Sequence, residues 1–225
     1  MVVRSHHARF MVLLVLVLIA VVAFAFFAVS EVAFERIGFT PLGYALILLA
    51  TLVGSVVNLP LWSSTKRVAV PAIQEVEVFW VTYRIPIYEE REVSTVVAIN
   101  VGGALIPIAV SVYLLAAHAY LLPQAILAVM ITAILVHLVA KTVEGVGVVT
   151  PALLPPIFAA LTALIFVSSG TSIVAYIAGT MGTVIGADLL NLRKVYRQGA
   201  ATVSIGGAGT FDGVFLTGIV AAFLV

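Results

Sequence analysis

Seven apolar segments divide this chain, at about residues 10–29, 43–62, 96–121, 124–142, 151–168, 171–192 and 204–225. Each approaches the roughly 20 residues of helix that cross a hydrocarbon core of about 30 Å. So many apolar segments leave a water-soluble fold too little polar surface: charged residues make up 9% of the 225, against about 25% in soluble domains. Mean hydropathy is +1.26. The reading is an all-α polytopic membrane protein, 1–225 as a single transmembrane domain in the cell (plasma) membrane, with the lipid bilayer as its solvent and partner. A net charge of +1 without a basic, aromatic-rich cluster argues against nucleic acid. The chain has no cysteine, which excludes disulfides and thiolate-bound metals.

The loops set an orientation. With the amino terminus inside, the cytoplasmic loops hold every Lys and Arg except Arg36, and the positive-inside rule then gives seven spans, N-in and C-out. The first segment, behind Arg4 and Arg9, has small residues at Ala28 and Ser30 like a cleavable leader. Its apolar run is longer than a leader's, so it reads as a retained anchor. Between the second and third spans, residues 64–93 are rich in β-branched and aromatic side chains. They are expected to form a small β-rich cytoplasmic insertion.

Carboxylates inside a membrane are costly and mark function by default. The chain has two Asp, Asp188 and Asp212. Asp188 lies near the cytoplasmic end of the sixth span. A last span starting at Phe211 would be too short to cross, so the preceding Gly206, Gly207 and Gly209 are expected to enter the membrane non-helically. Asp212 would then open the last helix, facing a cavity or serving as its N-cap. Gly179, Gly182 and Gly186 predict close packing of the sixth span against one neighbour. At 100° per residue, Asp188 and Asn191 would face another, and the span would be central. The three Asn, Asn58, Asn100 and Asn191, all fall at cytoplasmic ends of spans and join the candidate binding residues. His137 and Lys141 share one face near the inner end of the fourth span; Lys141 is expected to snorkel, and no metal or cofactor is expected.

The stretches "INVGGALIP", "GVGVVTPALLPP", "IGADLLNL" and "SIGGAGTFDGVFLTG" together resemble domain-of-unknown-function family sixteen-fourteen. The resemblance covers about residues 50–225 and implies a polytopic membrane protein of archaea and bacteria, with no stated activity. A second resemblance is to intramembrane aspartyl proteases of the presenilin and prepilin-peptidase class. It would make Asp188 and Asp212 catalytic, although Thr210 and Phe211 separate the glycines from Asp212 and no Tyr precedes Asp188 directly.

Two sharp functions stay open on these residues, beside a plainer one as a lipid- or protein-binding scaffold. A pair of carboxylates sharing a proton would make the protein a hydrolase acting on a membrane-embedded peptide. Broken helices with Asn and Asp ligands would equally suit a transporter or channel for an ion or small solute.

Overall fold

The computed structural model describes residues 3–143, 147–197, 202–207 and 213–225. Helix α1 is Val3–Arg36 and α2 is Pro41–Gly54, after which β1 (Asn58–Val78) and β2 (Val81–Asn100) follow. A π turn, Val101–Leu105, leads into α3 (Ile106–Ala117), and a 3-10 turn leads into α4 (Leu122–Val139). Short strands β3 (Lys141–Val143) and β4 (Gly147–Val149) precede α5 (Leu154–Phe166). Helix α6 (Thr171–Thr183) continues as a π turn, Val184–Leu189. Then come α7 (Leu192–Arg197), β5 (Thr202–Ile205) and α8 (Gly213–Phe223).

Three stretches among the described residues are long and apolar enough to span a bilayer: Phe10–Arg36, Ala119–Val139 and Thr171–Tyr196. Four shorter apolar helices accompany them, Pro41–Gly54, Val101–Ala117, Leu154–Phe166 and Gly213–Phe223. Pro41, Pro123 and Pro155 sit in first turns, where a missing N–H costs nothing. The chain is a membrane protein by this measure.

It is not all-α. β1 and β2 form one antiparallel ribbon, paired from Asn58 opposite Asn100 to Val78 opposite Val81, with the register shifting by one residue at a bulge between Pro60 and Trp62. The ribbon therefore extends beyond residues 64–93 in both directions and takes the ends of the second and third apolar segments. At the seventh, β5 adds to β2 in parallel, Val96 opposite Thr202 to Ile99 opposite Ile205. Apolar content alone does not distinguish a buried strand from a helix end. The Val, Ile and Thr of "STVVAIN" and "TVSI" favour the strand.

The ribbon turns on Phe79 and Trp80, both left-handed at φ 50° and 67°. A two-residue hairpin loop needs that backbone, usually from Asn-Gly.

The helix packing fixes directions. Gly182 meets Thr132 and Gly186 meets Val136, so α6 runs parallel to α4. Gly179 lies against Thr217 and Gly218 of α8, and Val184 shares a cluster with Val214. These pairs run in opposite order along the chain, so α8 is antiparallel to α6. The glycines of the sixth span thus serve two neighbours, α8 and α4, where the sequence suggested one. A side chain at Gly186 would run into the Ala133 carbonyl.

At the other end of the helices, Arg36 donates to the carbonyls of Phe223 (2.7 Å) and Val225 (2.6 Å). The basic residue that departs from the positive-inside pattern therefore caps the end of α8, where a cation is favourable.

Candidate functional site

The β2 strand enters the helical body through Asn100, which is 1% exposed. Its side-chain amide donates to the Ser55 carbonyl (2.8 Å) and to Asn58 Oδ1 (3.1 Å), while its Oδ1 accepts from the Gly103 amide (2.6 Å). Ser204 donates to the same Asn58 oxygen at 2.7 Å. Two of the sequence candidates, Asn58 and Asn100, thus meet in one knot that ties α2, β1, β2 and β5 to the first π turn. Gly102 lets this turn lie on α2, because a Cβ there would strike the Thr51 carbonyl.

β5 enters beside it. Gly206 and Gly207 have φ 78° and 79°, a left-handed turn that glycine adopts without penalty. A Cβ on Gly206 would collide with Ala104, so the two Gly-containing entries pack backbone to backbone. The Gly206 amide donates to Asp188 Oδ2 at 2.8 Å. Asp188 is half-buried and holds this entry in place from the second π turn. Gly209 and Asp212 lie outside the described residues.

A second knot surrounds Asn191, 1% exposed. Its amide donates to the carbonyls of Ala187 (3.0 Å) and Gly186 (3.2 Å) and lies 3.2 Å from His137 Nδ1. Lys194 donates to Asn191 Oδ1 at 3.2 Å, and His137 Nδ1 also lies 3.2 Å from the Gly186 carbonyl. So Asn191 turns to α4, while Asp188 turns to β5. The expectation that they share a face is corrected by the π turn: Leu190 N–H bonds to the Ile185 carbonyl, five residues back. The 100° step does not hold through such a turn. Lys141 is corrected too. α4 ends at Val139, and Lys141 opens β3, exposed and off the helical face of His137. β-Branched residues on both arms, Thr142, Val143, Val148 and Val149, favour the hairpin.

Sequence reasoning missed a third feature, on α6 itself. Tyr176 and Thr180 are fully buried and Thr183 is 3% exposed. Among the described residues none of their three hydroxyl oxygens has a partner at full hydrogen-bond geometry, although the Tyr176 and Thr180 hydroxyls approach closely enough to interact with each other. Spacings of four and three residues put them on one helical face. A hydroxyl in an apolar interior without a partner costs roughly 1–3 kcal/mol, and three in line call for a reason. Their spacing within an apolar span was the available signal. The π turn matters here as well. It takes five residues per hydrogen-bonded turn rather than four, so Asp188, five after Thr183, stacks over it as an i+4 residue would in an α-helix. By that spacing the carboxylate follows the ladder along the helix.

Among the described residues, no three His, Asp or Glu side chains gather as a metal site would need. No curated protein and no solved structure matches the chain, and the likeness to aspartyl proteases draws no support from comparison. A family model does match, over residues 52–224, which takes in both π turns, the ribbon and Asp188. The chain belongs to the family described as Protein of unknown function (DUF1614).

Proposed function

We propose that this multi-pass membrane protein moves a proton or a small monovalent cation, alone or coupled to a solute, with Asp188 as the cation-binding carboxylate. The observation that carries this reading is the line of buried hydroxyls at Tyr176, Thr180 and Thr183, which make no well-formed hydrogen bond to the rest of the described protein and end at the π turn bearing Asp188. Hydroxyls donate and accept. A file of water along them would satisfy each one and pass a proton by successive hydrogen-bond exchange, the carboxylate at the cytoplasmic end taking it up and releasing it. A helix distorted by a π turn, beside a strand-to-helix entry that also opens on a π turn, suits a transport site better than a packing core. With the amino terminus inside, Asp188 opens toward the cytoplasm.

A hydrolase is the second reading, and the register of α6 on α8 favours it. Continuing that antiparallel register from Val184 and Val214 brings Asp188 level with the start of α8, where Gly213 is the chain neighbour of Asp212. Two carboxyls in contact there would share one proton, one activating water and the other polarising a carbonyl.

One set of proteoliposomes separates the two readings. Under an imposed potassium-diffusion potential, the wild-type protein should carry protons or sodium, read with an internal pH or sodium dye. Asp188→Asn should lower the flux about tenfold or more, and Tyr176→Phe by a smaller factor. Equal flux in wild type and Asp188→Asn would overturn transport through this carboxylate. In the same cysteine-free background, ready disulfide formation between Asp188→Cys and Asp212→Cys, which requires Cα atoms within about 7 Å, would then favour the hydrolase.

A further inference from the structure

Outside the Asp188 site, a cavity of about 560 Å³ opens between the base of the ribbon and α7. Its floor is Val97 and Leu192, and its rim carries Trp62, Ser64, Arg193 and Tyr196. Among the described residues the lining holds one cation, Arg193, and no carboxylate. Tyr196 donates to Ser64 Oγ at 2.6 Å, which leaves the Ser64 proton for a ligand acceptor. Ser63, exposed beside it, adds a second hydroxyl. The position is as telling as the chemistry. The cavity lies where the apolar stretch Thr171–Tyr196 runs out into Arg193 and Lys194, at the same end as the start of α3. Trp62 marks that boundary, the level at which indole rings settle in a membrane.

We propose that this cavity binds the headgroup of an anionic phospholipid, its phosphate on Arg193, Ser63 and Ser64 and the start of its acyl chain along Trp62 and Leu192. A guanidinium with adjacent hydroxyl donors matches a phosphate that carries charge. The apolar floor matches glycerol and the first methylenes, which a soluble anion lacks. The site is built by the ribbon and α7 together, so an occupying lipid would fix the ribbon base against the helical body.

The chain contains two tryptophans, Trp62 and Trp80, and Trp80 is 95% exposed in the ribbon turn. In a Trp80→Phe background, Trp62 alone reports on the cavity. The full chain in phosphatidylcholine nanodiscs is titrated with phosphatidylglycerol or phosphatidylcholine brominated on the acyl chain. Half-quenching by the brominated phosphatidylglycerol is expected at a mole fraction at least threefold lower. Arg193→Gln should remove that preference, and Ser63→Glu, which places a carboxylate at the mouth, should remove it independently. Equal quenching by the two lipids, or a preference that survives both substitutions, would overturn the proposal. A preference abolished by millimolar inorganic phosphate would reassign the site to a soluble phosphate ligand and overturn it equally.

Discussion

In Phe10–Arg36, with a mean hydropathy of 3.4, the most apolar window is 0% buried by protein, whereas in Thr171–Tyr196, with a hydropathy of 1.6, 72% of the window is buried. A soluble protein would order these the other way. In a bilayer, lipid tails solvate Leu and Val as well as protein does, so apolar content no longer drives a helix inward. What selects α6 for the centre is its run of small residues, which allows backbones to approach, together with polar side chains that need enclosing. α1 shows the rule within one helix. Its residues from Phe10 through Phe24 are exposed or half-exposed, while Ser30, Ala33 and Phe34 near its end are buried, Phe34 against Phe39, Tyr44 and Tyr176.

The comparison breaks most directly at small residues. Gly186→Leu on α6 drives a side chain into the Ala133 carbonyl and Val136 and should cost about 3 kcal/mol or more. Ala20→Leu on exposed α1 makes a similar enlargement and should change stability by less than about 0.5 kcal/mol. Unfolding of the purified protein by denaturing detergent measures both. Similar costs at the two positions would refute the contrast. Within α1 a smaller effect sharpens it: Phe34→Ala, at 0% exposure, should cost about 2–3 kcal/mol through lost contacts and a cavity. Phe24→Ala, at 76% exposure, should be close to neutral by the same measurement.

Much of the helical layout was legible because each apolar segment overlaps a helix of the structure, and because Pro and Gly mark several helix starts and ends. The β1–β2 ribbon was partly legible, from the β-branched residues of its middle. Its ends were not: "STVVAIN" is apolar enough to continue a membrane helix, and the choice was made by pairing with β1 and β5, which no local pattern carries. The site was legible as residue types. Asn100 before Gly102 and Gly103 signalled an irregular helix start, and Gly206 with Gly207 a non-helical entry. The direction of Asp188 was not legible, because an α-helical step was assumed through Val184–Leu189. One extra residue in that π turn separates Asp188 from Asn191 and aligns it with Thr183. Tyr176, Thr180 and Thr183 went unread because an isolated hydroxyl in a span usually bonds to the preceding turn. Only the fold shows that these do not.

A polar path to Asp188 requires water at those hydroxyls, and hydroxyl-radical footprinting of the protein in nanodiscs tests it at Tyr176, where ordered water next to a buried ring promotes modification. Phe34 and Phe215, at 0% and 1% exposure, are buried aromatic controls, and Tyr176 is at 0%. With water along the ladder, Tyr176 is modified well above both controls. Modification of Tyr176 no faster than Phe34 and Phe215 would mean a dry ladder and would contradict the polar path to Asp188.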